Sequence, residues 1–414
     1  MNSRQRVLAS LNHQPTDHIP VDLNGHSSSG MSVQSYRELR KHLGLAQSEL
    51  YIYDVIQQLA IVENDILDLF RIDVVQLGCE YAKRKDYWKD WQLHDGTPCK
   101  IPKHTDIIIN HNGDYEILSK SGRQLGIQKK NCLYFEQTYF PLMESEDETF
   151  DDIAKYLNEY MWGKISKPPA PAGFDEEGLK TRRQDAIELR TSTDRAIYSN
   201  FGAKLFEPST QLFRMDHLLM ELALDPERMH QFYDKLMDIH MQNLDRYLKE
   251  VGEFIDVLGI AGDDLGMQTG PIISEEMFCT FLKPRYAKML QFVKLNYPHI
   301  KTCMHCCGGI YPFIPHLIEV GFDAINPVQI SCRDMQPEKL KESYGRYITF
   351  WGGGCDTGSI LFEADEETIK KHVSHNIEVF RDGGGFVFQQ VHNILANVPP
   401  RNIVAMYEAV DQFR

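Results

Sequence analysis

The chain has 414 residues, of which 42% are hydrophobic and 25% charged, and it carries a formal net charge of −15. This is the composition of an ordinary globular protein, long enough for two or three average domains or for one large α/β barrel. The acidic balance argues against a nucleic-acid binder, because phosphate backbones attract a basic face. The block Lys83-Arg84-Lys85 reads as a solvated turn. No apolar stretch approaches the roughly 20 residues that span a bilayer, so no membrane partner is expected. Residues 1–6 lead into a segment with no signal-peptide core. The 9 cysteines are odd in number and show no disulfide-framework spacing. A cytoplasmic protein is therefore expected.

Along the chain, residues 4–11 read as a short helix and residues 20–23 as a strand, followed by a polar loop over 24–30. Residues 35–43 form a helix closed by Gly44. Residues 61–70 are an amphipathic helix and residues 72–77 a strand. The stretch 80–145 differs in texture. Asp95-Gly96, Asn112-Gly113 and Ser121-Gly122 are hairpin turn signals between apolar segments. They predict a small antiparallel β insertion at 80–145 within a single unit spanning 1–414. An acidic stretch (144–152) and a loop rich in Pro and Gly (168–173) follow, then a helix over 178–190.

From there strands and helices alternate. Strands are expected at 196–202, 254–260, 300–304, 322–326, 347–351 and 386–391. Helices are expected at 216–224, 226–251 with Asp225 as N-cap, 275–295 with a bend at Pro284, 310–320 stopped by Gly321, 337–343, 366–381 and 401–413. About eight strands, most followed by a helix, imply a parallel sheet closed into a (β/α)8 TIM barrel. An open doubly wound sheet would need G-x-G-x-x-G after the first strand, and the loop after Leu23 lacks that spacing.

In such a barrel the active site sits at the carboxyl ends of the strands. Those ends carry Asp22, Asn24 and His26; Asp263 and Asp264; His305 and Cys307; Cys355 and Asp356; and His392 and Asn393. His305 and Cys307 are two apart, so on a strand they point the same way. One imidazole and one thiolate make half of a zinc site. The plainer reading is a core cysteine beside a satisfied histidine. A catalytic zinc takes three protein ligands and keeps one position open. His392 is the chosen third ligand, with Cys355 and Asp264 as rivals. The plainer role for His392 is a loop histidine bonded to backbone, and for Asp263 and Asp264 a helix cap or turn. Cys303 shares the face of His305 but sits deeper, as barrel filler, and Cys306 points to the opposite face. Asn24, His26 and Asp356 are the candidate substrate contacts.

Several of these stretches resemble the uroporphyrinogen decarboxylase superfamily, in particular its corrinoid-linked methyltransferase-like branch. They are residues 3–8 through 15–22, Asp263-Asp264-Leu265-Gly266-Met267-Gln268 with Pro284, His305-Cys306-Cys307-Gly308, Trp351-Gly352-Gly353-Gly354-Cys355-Asp356-Thr357, and Val391-His392-Asn393-Ile394 with Pro399-Pro400. The resemblance implies a (β/α)8 barrel. Decarboxylases of the family are metal-free and hold the substrate's propionates with arginines in the loop after the first strand. Here that loop, residues 24–31, contains no arginine. The methyltransferase branch carries H-x-C and a later cysteine as zinc ligands. This chain keeps His305 and Cys307, and has His392 where the later cysteine is expected. The resemblance thus implies a zinc-dependent methyl transfer between a small methylated or thiol substrate and a corrinoid, with Asp263 or Asp264 carrying a proton or orienting a ligand histidine. The chain has no D-x-H-x-x-G motif, so a separate protein would carry the corrinoid. Two alternatives remain: a metal-free decarboxylase in which Asp22 or Asp264 stabilises a protonated pyrrole-like intermediate, and a non-catalytic barrel that binds a tetrapyrrole or a partner.

Overall fold

The computed structural model describes residues 1–78, 84–143, 145, 149–165 and 174–414. Seven parallel strands lie side by side in chain order: β1 (Val74–Gln76), β2 (Ala196–Asn200), β3 (Val257–Gly262), β4 (Lys301–His305), β5 (Ala324–Asn326), β6 (Thr349–Trp351) and β7 (Phe386–Val387). The ring closes through residues 20–22. Val21 pairs in parallel with Phe388, Asp22 N donates to Phe388 O (2.8 Å), and Asp73 N donates to Val21 O (2.8 Å). The first expected strand therefore fills the eighth position, but as a single bridge. The architecture is a (β/α)8 barrel with added antiparallel sheets.

Strands covered on both faces need apolar residues on both, and all six residues of β3 are buried. Alternation sorts their neighbours. Val74, Tyr198, Val257, Cys303, Trp351 and Val387 fill the interior together with Val7 and Leu11 of the helix Ser3–Leu11. Cys306 faces the other way, into the outer core.

The helix Pro226–Val251 starts where its cap predicts, with the Asp225 side chain accepting from Arg228 N (3.0 Å). The expected helix over 275–295 is in three parts: Glu275–Met277, a π-helical turn Phe278–Leu282, and Lys283–Asn296. Pro284 lacks an N–H and crowds the preceding turn, so the ladder widens just ahead of it. A helix at Phe206–Phe213 was not expected. Its Pro208 sits in the first turn, where a missing N–H costs nothing.

Between β1 and β2 lie a two-stranded sheet (Trp88–Gln92 with Pro98–Pro102) and a four-stranded sheet (Ile107–Ile109, Tyr115–Leu118, Gln124–Gln128, Glu136–Gln137). Gly96, Gly113 and Gly122 stand at the predicted turns with φ of +83°, +83° and +82°. The 168–173 loop, residue 83 and part of the 144–152 stretch lie outside the described residues. Arg84 is not simply solvated, because it pairs with the buried Asp185 carboxylate. Among the described residues, no helix is long and apolar enough to cross a membrane.

Candidate metal centre and cavity

A cavity of about 600 Å³ opens at the carboxyl ends of the strands. His305, the last residue of β4, and Asp264, two residues past β3, line it together with His392 and Asn393 beyond β7. Tyr53, Tyr134, Phe135, Tyr160 and Trp162 line it as well, so the wall is partly aromatic.

The ligand-type atoms of His305, Cys307 and His392 all lie within 4.8 Å of one another, the one such group among the described residues. His305 Nε2 is 3.5 Å from Cys307 Sγ, and the two imidazole centroids are 5.9 Å apart. The rival ligands are placed differently. Cys355 is fully buried, with its thiol on the Asp356 carbonyl (3.8 Å). Asp264 Oδ1 is 3.5 Å from His305 Nε2 and accepts from Cys307 N (3.0 Å).

The donor chemistry fits a cation. Burial, and next the Asp264 charge, push the Cys307 thiol well above its ordinary range. A thiolate there needs a positive neighbour, which a bound metal supplies. Burial, and next His305, pull His392 down to about 4, so its imidazole is neutral with a lone pair available. For His305, burial opposes protonation but the Asp264 carboxylate outweighs it, and the net shift is upward.

The loop that carries Cys307 is clamped by backbone bonds. Gly266 N donates to Cys307 O (3.1 Å) and Gly309 N to Met267 O (2.9 Å). Gly308 has φ +88°, and a Cβ there would lie 2.1 Å from the Gly266 carbonyl carbon, so only glycine allows the approach.

The adjacent aspartates separate. Asp263 is fully buried and absent from the cavity lining. Its carboxylate accepts from Leu205 N (2.9 Å), Glu207 N (2.8 Å) and the Tyr286 hydroxyl. It caps the helix Phe206–Phe213, which corrects its expected role as a proton carrier. Asp264 stays at the cavity.

Several other expected contacts also lie outside the lining. Asp22 is buried beneath it, accepting from Gly25 N (2.8 Å) and Trp351 Nε1 (2.9 Å). Burial lifts its carboxyl to about 7. His26, which burial holds near 3, sits with Nε2 2.9 Å from Gln389 Oε1 and 3.4 Å from Asp22. Asn24 is buried, with its backbone N on Ser29 O (2.8 Å). Asp356 accepts from Gly358 N (2.6 Å) and Ser359 N (3.0 Å), closing its own turn. Ser27 and Ser28 of the same polar loop reach the cavity instead.

Sequence reasoning missed Lys204 and Glu207, which pair with each other in the cavity wall. It also missed Asn326, whose Oδ1 lies 2.8 Å from His305 Nδ1. Asn326 ends β5, so the rule that singled out the other strand ends would have found it.

Residues 209–413 match the family model of uroporphyrinogen decarboxylase (URO-D). A curated uroporphyrinogen decarboxylase from Vesicomyosocius okutanii subsp. Calyptogena okutanii (strain HA) is 23% identical over 193 residues, which is 46% of this chain and 50% of that protein. The chain thus spans about half the length of the curated relative it matches. Among solved structures, a methyltransferase from Methanosarcina mazei aligns over 100% of this chain and 99% of its own, with a TM-score of 0.59 at 16% identity. That likeness is one of fold.

Proposed function

We propose that this chain, a member of the uroporphyrinogen decarboxylase superfamily, is a zinc-dependent methyltransferase. It would exchange a methyl group between a small methylated or thiol substrate and a corrinoid carried by a separate protein. The observation that supports this reading is the convergence of His305, Cys307 and His392 beside a cavity at the barrel mouth. These three would hold the metal and leave a position open to the substrate. Zinc bound there would supply Lewis acidity, lowering the pKa of a substrate thiol or polarising a leaving group.

The chain's own residues do the rest. His392 offers a neutral imidazole. Asp264 fixes the Cys307 backbone through its hydrogen bond and stands close enough to His305 to steady it or hold a proton. The aromatic side of the cavity excludes water and orients the organic part of the substrate.

A decarboxylase acting on a substrate with many carboxylates fits the cavity less well. No arginine stands among the described lining residues, and Lys204 is neutralised by Glu207. Of the two carboxylates that reading offers, Asp22 is buried and absent from the lining, and Asp264 alone stands at the cavity.

The test is elemental analysis of protein purified without a metal-affinity tag, beside Cys307→Ala. The expected result is about one zinc per chain, lost in the variant. A wild-type protein that takes up no zinc even when zinc is offered overturns the zinc mechanism.

A further inference from the structure

We infer that Asn326 is a positioning residue that dictates which nitrogen His305 presents to the cavity, with its own amide held in register by backbone carbonyls. The use made of that nitrogen rests on the metal reading above.

A backbone carbonyl can only accept a hydrogen bond. Asn326 Nδ2 lies 2.9 Å from Trp351 O and 2.8 Å from Gln389 Oε1. Gln389 Nε2 in turn lies 3.1 Å from Ser28 O. The two carbonyls, Trp351 O and Ser28 O, therefore fix both amides, because each must turn its nitrogen toward its carbonyl. Asn326 Oδ1 is then left facing His305 Nδ1 at 2.8 Å, and it also accepts from Ser28 Oγ (2.6 Å). An oxygen cannot donate, so His305 Nδ1 carries the proton. Nε2 is left as the nitrogen turned toward Cys307 Sγ and the Asp264 carboxylate, each at 3.5 Å, and it is the atom a bound cation would take.

Asn326 is 1% exposed and Gln389 0%, so bulk water cannot take over these bonds. The opposite tautomer would set two lone pairs face to face in a buried site. An aspartate at 326 would still accept from His305, but it would oppose oxygen to Trp351 O and Gln389 Oε1. The amide is the side chain that satisfies both neighbours at once.

Zinc dissociation constants measured by competition with a coloured chelator, on wild type, Asn326→Leu and Asn326→Asp, test this. Long-range 1H–15N spectra of the imidazoles in metal-free protein accompany them. Asn326→Leu is expected to bind zinc roughly 10- to 100-fold more weakly. Asn326→Asp is expected to stay within a few-fold of wild type although its melting temperature falls. The His305 ring of wild type is expected to carry its proton on Nδ1. Equal affinity in wild type and Asn326→Leu overturns the inference, as does an equal loss in both variants, which would mark a merely structural role. A wild-type His305 ring with no proton on Nδ1 overturns it whether or not the variants fold. Absence of zinc binding by wild type sinks the metal reading alone, since the tautomer is read without metal.

Discussion

Two sides of the cavity are built by different means. One consists of strand ends. The β3–β4 ladder places Gly262 opposite His305, and the β4–β5 ladder places His305 opposite Asn326. Backbone register sets where the ligand-type side chains stand. The other side is aromatic and draws in part on the insertion, through Tyr134 and Phe135. Its loop is held by side chains, with Gln58 Nε2 and Gln128 Nε2 both 2.9 Å from Leu133 O. On the proposed function, the metal ligands stand on or beside the barrel strands, and the insertion supplies part of the wall that would meet the substrate.

Substitutions should separate the two sides. Cys307→Ala should lose the metal and cut methyl transfer by more than about 100-fold, beyond what removal of an outer partner costs. Metal content and turnover measured on one preparation check this. Asp264→Asn keeps the volume but removes the charge beside His305 and Cys307. It should weaken metal affinity by roughly 10- to 100-fold while leaving KM for the organic substrate unchanged. A chelator titration beside steady-state kinetics decides it. Tyr134→Ala should do the reverse. With that side chain 41% exposed, stability should change by less than about 1 kcal/mol. KM should rise up to roughly tenfold, about 1.4 kcal/mol, with metal content intact. Zinc loss in this variant would erase the distinction between the sides.

The last effect is spread over a range of pH and concerns the floor beneath the strand ends. Asp22 titrates near 7 in the folded protein because it is buried, and near about 3.9 in the unfolded chain. Between those values the folded form holds a proton that the unfolded form has released. Its contribution to stability is therefore complete below about pH 4 and declines as pH rises toward 7, by at most about 1.4 kcal/mol per unit. Urea unfolding across that window should show the decline in wild type and a flatter profile in Asp22→Asn.

How much of this was legible follows from what each signal encodes. His305 and Cys307 could be paired because a strand repeats every second residue, a local rule. The hairpins could be placed because Asp, Asn or Ser before Gly marks tight turns. Asp263 and Asp264 could not be told apart, because their fates depend on Leu205 and Tyr286, distant in sequence. His26 looked like a cavity residue but bonds into the floor, where Gln389 comes from the far end of the chain. Tyr134 carried no signal, since nothing local says where an insertion will lie. Asn326 ends a strand just as Asn24 and Asn393 were read to do, but its part depends on the ladder that sets it opposite His305, which nothing local in the sequence shows.

The most direct measurement is X-ray absorption at the zinc edge of the loaded protein, with Cys307→Ala beside it. The account predicts one sulfur neighbour at about 2.3 Å and two imidazole nitrogens at about 2.0–2.1 Å, the sulfur vanishing in the variant. A zinc environment with no sulfur, or one whose sulfur persists without Cys307, would contradict the assignment of His305, Cys307 and His392.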